Sequence, residues 1–387
     1  MPCHWYVRRL GERAPTPIVR STWEGADMTS IPLISPVVIG GVDTHKDLHV
    51  AAVVDTDDRV LGTASFPTTR AGYRALLAWM GGFGCLERVG VEGTGCYGAG
   101  LHRYLAGEGV EVWEVARPDR ADRRRRGKSD VLDAQNAARA ARAGLRVVTA
   151  KVRDGMVEAL RMLRTTRTAA VAAHREALQV LDAQVIAAPA GLRDQVRGLT
   201  RMRLVSTLAS WRPEPGAAVG LQGAARMALG SLARRIVHLD DELAELDEMI
   251  APLVRELAPS LLEAPGFGIH TTAQLLVTMG DNPERITSEP RFAKLCGVAP
   301  LDASSGKTQD RHRLNRGGDR AANSALYIVA LTRMHYDERT RKYVEKRTSE
   351  GKTKPEIIRC LKRYAAREAY YLIKHDHDHP HRAGTPA

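Results

Sequence analysis

Four carboxylates near the N-terminal end of the chain have the type and spacing of ligands for a hard divalent cation. Asp43 closes the apolar run VVIGGVD, Glu92 closes RVGVE, and Asp130 and Asp133 stand three apart in SDVLDAQNAARA, a spacing that projects both from one face of a helix. Drawn into one pocket, such charges repel each other unless cations neutralise them, and two Mg²⁺ ions held by their oxygens would also polarise a phosphodiester. Taken singly, Asp43 reads equally well as a turn residue and Glu92 as a surface charge. Beside them RPDRADRRRRGKSD supplies Arg117, Arg120, Arg123, Arg124, Arg125, Arg126 and Lys128, side chains suited to a nucleic-acid backbone; a solvated arginine run is the plainer reading.

A second constellation lies far downstream. In LCGVAPLDASSGKTQDRHRLNRGGDRAANSALY, Ser304 and Ser305 precede Gly306, and Lys307, Arg311, Arg313, Arg316 and Arg320 follow. A serine hydroxyl that attacks phosphorus needs cations around the transferring group, because charge spreads over its oxygens in the transition state. Read alone, the same loop is a Ser-Gly turn beside a nucleic-acid-binding patch.

The elements that must position these residues are legible in part. Three short β-rich runs, VVIGGVD, HVAAVVD and RVLGTASF, separated by turn-sized polar gaps, predict an antiparallel meander. A helix over Arg70–Gly81, the strand RVGVE, a helix over Tyr97–Leu105, the strand VEVWEV and a helix over Ser129–Arg142 follow. The order β-β-β-α-β-α-β-α is that of a ribonuclease H fold, a mixed sheet covered by helices on its faces. There the first and fourth strands are neighbours, so Asp43 and Glu92 meet at strand ends and the final helix carries Asp130 and Asp133 to them.

Beyond residue 150 the strands are expected to stop. Leu232, Ile236, Leu239, Leu243, Leu246, Ile250, Leu253 and Leu257 form an unbroken seam at a 3.5-residue period and predict a coiled-coil arm. A weaker stripe over Met156, Leu160, Leu163, Leu178, Leu181 and Val185 either pairs back with it or dimerises, and the glycines and prolines of 189–230 read as an irregular link. From Pro259 a mostly helical region opens with LLEAPGFGIHTTAQLLVTMG, where Pro-Gly-x-Gly either presents backbone amides to a phosphate or simply turns the chain. The fold class expected is α/β plus all-α. Its layout is a disordered or misassigned extension over 1–36, an α/β domain over 37–148, a helical and coiled-coil linker over 149–258, a helical domain over 259–374 and a disordered tail over 375–387.

A chain of 387 residues is long for a single core, and its net charge of +12 attracts polyanions by counterion release, although an arginine-rich proteome produces the same balance. The five cysteines contain no Cys-x-x-Cys pair, which supports neither a disulfide framework nor a zinc knuckle and reads as reduced thiols. No apolar stretch of about 18 residues or secretory leader is present, so the expectation is a cytoplasmic protein with no membrane partner.

Taken together, GVDTHKDLHVAAVVD, VGVEGTGCYG, RRGKSDVLDAQNAARA, GVAPLDASSGKT and GGDRAANSALY resemble the DEDD-type insertion-sequence transposases, the family that also contains the Piv DNA invertase. The resemblance runs from about residue 37 to about 374. It implies a RuvC-like domain whose four acidic residues match Asp43, Glu92, Asp130 and Asp133, and a C-terminal transposase domain whose catalytic serine matches the position before Gly306. Ser305 takes that role, with Ser304 as the fallback. The implied reaction is Mg²⁺-dependent transesterification of DNA through a phosphoserine link, on element ends and target, with a structured noncoding RNA as guide and a homodimer or homotetramer as the working form. Two other readings stay open: a RuvC-like junction nuclease using water, and an inactive nucleic-acid-binding regulator.

Overall fold

The computed structural model describes residues 35–115, 129–145, 147–212, 220–303, 312–313 and 317–380. The chain divides into two compact units, Met1–Lys151 and Val152–Ala387.

The first unit is built on a six-stranded mixed sheet of order β3-β2-β1-β4-β5-β6. Its strands are β1 Val37–Thr44, β2 Leu48–Asp55, β3 Val60–Pro67, β4 Cys85–Glu92, β5 Glu111–Val115 and β6 Val147–Thr149. The first three form the expected antiparallel meander, and β4 runs parallel to β1 and β5 parallel to β4. Helices α1 (Arg70–Gly81), α2 (Ala99–Gly107) and α3 (Asp130–Ala143) occur where the apolar spacing puts them. The three-residue β6, antiparallel to β5, was not anticipated, being too short to show a period.

Side chains alternate across the sheet and both faces are covered. Val38, Val42, Val89 and Val91 face α1 and α2, where Leu76, Met80, Leu101 and Leu105 bury them. On the other face Ile39 and Val54 meet Ala138 and Ala141 of α3, while Val50 and Ala52 meet Ala134. Two glycines let that helix sit directly on the strands: a Cβ on Gly41 would stand 2.1 Å from the Ala138 nitrogen, and one on Gly90 would stand 2.4 Å from the Ala137 oxygen. Arg139 and Arg142 tie the far end of α3 to Asp58 at 3.2 and 3.3 Å, and Gly144, at φ 64°, ends the helix in the left-handed conformation.

The second unit is helical, with one small exception. Two long helices, α4 (Met156–Ala187) and α7 (Leu221–Leu257), pack on each other. Along α7 the buried positions are Leu229, Gly230, Ala233, Ile236, Leu239, Leu246, Ile250 and Val254; Ile236, Leu239, Leu246 and Ile250 belong to the expected seam, whose Leu232, Leu243, Leu253 and Leu257 are half-buried. Along α4 the stripe departs from expectation at its start, where Met156 is exposed and Val157, Glu158 and Leu160 are buried. In its described residues the link between them is helical where irregularity was expected: α5 (Ala190–Val196) and α6 (Arg201–Ser210) close over the helix pair, burying Leu192, Val196, Val205, Leu208 and Trp211. Pro189 and Gly198, the latter at φ 74° between the two helices, mark boundaries, whereas Gly191 lies within α5 and Gly223 and Gly230 within α7.

The rest of this unit packs α8 (Pro259–Glu263), α9 (Ile269–Met279), α10 (Glu289–Leu295), α11 (Arg320–Tyr336), α12 (Glu338–Ser349) and α13 (Lys354–Asp378) around a core that includes Phe292, Leu275, Leu326, Val329, Ala365 and Ala369. Strands do recur here, as the two-residue pair β7 (Leu301–Asp302) and β8 (His312–Arg313), antiparallel to each other. The last helix continues past residue 374, where a disordered tail was expected, because the buried carboxylate of Asp376 accepts the Ser260 backbone N–H at 3.1 Å. Among the described residues Cys96, Cys296 and Cys360 are free.

Candidate active site

The period of two along β1 sorts its residues by face. Ile39 and Gly41 lie beneath α3, so Asp43 continues that row, at the end of the strand. Along β4, Gly90 lies beneath α3, so Glu92 follows on the same face. The parallel register pairs Val42 with Val91, which makes Asp43 and Glu92 neighbours at adjacent strand ends. Along α3 the buried alanines 134, 137, 138 and 141 define the face turned to the sheet, and one turn earlier the same face carries Asp130 and Asp133. Both occupy the first turn, where the helix dipole favours negative charge.

Asp43, Glu92 and Asp133 are buried, and Asp130 is half-exposed. Asp43 bears the strain of this arrangement. Burial pushes its carboxyl above the usual range; the neighbouring His45 acts the other way, and the charges of Asp133 and Asp130 push it up further. The Thr44 hydroxyl donates to the Glu92 carbonyl oxygen at 2.7 Å and pins the two strand ends together.

Among the described residues, the donors that converge to within 4.8 Å of one another are those of Asp43, His45 and Asp130. Glu92 and Asp133 are not in that group, so the foursome expected in one pocket is represented at this distance by two of its members. The histidine was missed from sequence, where a lone His carries little weight. The available signal was only its closeness in sequence to Asp43, in the loop that directly follows β1. His45 Nε2 lies 3.1 Å from Asp43 Oδ2 and 3.3 Å from Asp130 Oδ2, and that nitrogen is shielded from solvent although the side chain as a whole is 40% exposed. The donors, carboxylate oxygens with one unsatisfied imidazole nitrogen, fit a divalent cation.

Of the other residues singled out from sequence, Arg123, Arg124, Arg125, Arg126 and Lys128 lie outside the described residues, as do Arg117 and Arg120. Ser304, Ser305, Lys307, Arg311 and Arg316 also lie outside them, between β7 and β8 or just after β8. Arg313 in β8 and Arg320 at the start of α11 are described, and both are exposed. The adjacent Asp319 caps α11, accepting the backbone N–H groups of Ala321 and Ala322 and the Thr278 hydroxyl.

His49 on β2 lies fully buried across the sheet from Asp43, its ring stacked on Tyr73 with centroids 5.7 Å apart. Burial, helped by the charge of His45, pulls its pKa from 6.5 down to about 4. Above pH 6.5 the ring is neutral in both folded and unfolded chains; below it the unfolded chain takes up a proton that the folded one refuses until about pH 4. Stability is therefore expected to fall across that window, by on the order of 2 kcal/mol from this residue. Urea unfolding at pH 7 and pH 4.5 checks this: His49→Phe, which keeps the stacking, should lose less stability on acidification than the parent.

Two family models match the chain. Residues 40–188 match a DEDD model of the IS110 type described as "Transposase", and residues 258–345 match one described as "Transposase IS116/IS110/IS902 family". Among curated relatives, the chain is 29% identical over 168 residues to "Insertion element IS900 uncharacterized 42 kDa protein" of Mycobacterium paratuberculosis, covering 43% of this chain and 42% of the relative. It is 29% identical over 174 residues to "Insertion element IS110 uncharacterized 43.6 kDa protein" of Streptomyces coelicolor, covering 44% and 43%. Similarity extends to the "Pilin gene-inverting protein" of Moraxella bovis, 28% identical over 147 residues, covering 36% and 45%. The matched segments thus span less than half the length of these relatives.

Proposed function

From a chain that belongs to the IS110/IS116 family of DEDD transposases, matched in two segments that together exceed half its length, we propose a DNA recombinase that moves an insertion sequence by cutting and rejoining strands through transesterification. The observation that carries this reading is the convergence of Asp43, His45 and Asp130 at strand ends beneath the N-terminus of α3, with Glu92 and Asp133 buried alongside. That grouping suits a RuvC-like domain, and the gene-inverting relative agrees with a cut-and-rejoin reaction.

A divalent cation, Mg²⁺ in this reading, would be held by Asp43, Glu92, Asp130 and Asp133, and when bound it would neutralise and polarise a phosphodiester. The Ser305 hydroxyl, or Ser304 as the fallback, attacks phosphorus; a P–O bond to one strand breaks as the serine ester forms, and the released hydroxyl end departs with a proton. Attack on that ester by another strand end restores the phosphodiester and the free serine, so bond energy is conserved. Arg123, Arg124, Arg125, Arg126 and Lys128 hold the nucleic-acid backbone, as do Lys307, Arg311, Arg313, Arg316 and Arg320. A structured noncoding RNA guides the choice of DNA, and homodimers or homotetramers are the working form in the cytoplasm; the seam on α7, buried against α4 within one chain, serves as a connecting arm and not as the assembly surface. Among the described residues no helix is long and apolar enough to cross a membrane.

The decisive experiment incubates the protein with Mg²⁺, element-end DNA and RNA transcribed from the flanking sequence, then looks for DNA covalently attached to protein. The expected result is an adduct that disappears in the Ser304→Ala/Ser305→Ala double variant. An adduct undiminished in that variant would refute the serine. Cleaved ends with no attached protein would favour a water-using nuclease, a reading supported by the placement of all four carboxylates in one unit.

A further inference from the structure

His45 is the one member of the converging group that the four-carboxylate scheme does not use. Its Nε2 is buried, faces two carboxylate oxygens at 3.1 and 3.3 Å, and has no hydrogen-bond partner. Neighbouring ligands around an octahedral cation, at bond lengths of about 2.1–2.2 Å, stand about 3.0–3.1 Å apart. The two separations thus approach those of donors sharing one ion. All three donors lie within 4.8 Å of one another, the convergence that a shared ion requires.

We infer that His45 Nε2 is itself a metal ligand, and that the Asp43–His45–Asp130 position takes a transition-metal cation of the Mn²⁺ class more tightly than Mg²⁺. The inference rests on the reading of this cluster as a metal site. Mg²⁺ demands oxygen ligands and keeps its waters, whereas first-row transition cations accept imidazole nitrogen readily. A site of carboxylates alone would discriminate little between Mg²⁺ and Mn²⁺; one imidazole in the set adds affinity for the second and nothing for the first. His45, in the loop directly after β1, already stands within 3.1 Å of Asp43 Oδ2 and 3.3 Å of Asp130 Oδ2, so it supplies that nitrogen from where it is.

Binding of Mn²⁺ alone and Mg²⁺ alone to the full chain, by calorimetry, together with pulsed electron paramagnetic resonance of the Mn²⁺-loaded protein, tests the inference without DNA. The expected result is a nitrogen modulation on bound Mn²⁺ that changes frequency when histidine is ¹⁵N-labelled, persists in His49→Phe and vanishes in His45→Ala. His45→Ala should also weaken Mn²⁺ binding by about tenfold or more and Mg²⁺ binding by less than about twofold. Mn²⁺ binding that is lost in Asp43→Asn, yet shows no nitrogen modulation in the labelled parent, overturns the role of His45 and leaves the carboxylate site standing. Equal weakening of both ions in His45→Ala overturns it as well. Mn²⁺ binding indifferent to Asp43→Asn overturns the metal-site reading itself, and this inference with it.

Discussion

Asp43→Asn is expected to lower strand cleavage and joining by about three orders of magnitude, equivalent to on the order of 4 kcal/mol of transition-state stabilisation, without loss of the fold. The two halves of this expectation come from one environment. Asp43 is buried at the end of a central strand, its ionised form opposed by desolvation and by the charges of Asp133 and Asp130. Only a group with a function in the charged state is worth holding there. Amide for carboxylate keeps the shape, removes the buried charge and relieves its repulsion, so the metal-free variant should unfold at a urea concentration equal to or above that of the parent. Loss of activity together with preserved or improved stability is the signature of a functional site, since a structural carboxylate of this burial would lose both. Strand cleavage in Mg²⁺ or Mn²⁺ and urea unfolding in EDTA supply the two readings. Activity retained within about tenfold would remove Asp43 from the chemistry.

How far this site was legible depended on whether a residue announces itself by period or by tertiary neighbours. The alternation in VVIGGVD and RVGVE gave the strand ends, and with them the neighbouring places of Asp43 and Glu92. The 3.6-residue period of α3 likewise put Asp130 and Asp133 on one face, because its alanines had to meet a sheet. His45 was not legible in the same way: it lies just past β1, where no period continues, and its meaning comes from Asp130, far away in sequence. The helices α5 and α6 were hidden for another reason. Each is short and flanked by Pro189 or Gly198, so local composition reads as a loop, while the burial of Leu192, Leu208 and Trp211 against α4 and α7 decides otherwise. Met156 shows the same limit within a helix, since its place on an apolar stripe did not reveal that the buried face of the first turn of α4 falls on Val157 and Glu158 instead.

The glycines of the two central strands carry more of the site than their lack of side chains suggests, and Gly41→Ala should damage stability and site together. Its Cβ would stand 2.1 Å from the nitrogen and 2.7 Å from the Cα of Ala138, and 2.3 Å from the oxygen of Ala134. These are backbone atoms of α3, and no rotamer change relieves the overlap, so either the helix lifts or the strand bends. Overpacking of this kind costs about 3 kcal/mol. Because α3 is a rigid rod whose first turn carries Asp130 and Asp133, a lift of about 1 Å also moves those carboxylates away from Asp43, and misplacement on that scale costs about a hundredfold in rate. Mn²⁺ affinity, strand cleavage and urea stability should therefore all fall together in Gly41→Ala, unlike Asp43→Asn, where stability is spared. Gly81→Ala is the control: a Cβ at the end of α1 meets nothing within 4 Å, and alanine there should stabilise the helix by about 0.5–1 kcal/mol. If Gly41→Ala behaved like Gly81→Ala, the close seating of α3 on β1 could not be what holds the carboxylates in place, and the geometry of the whole cluster would need another cause.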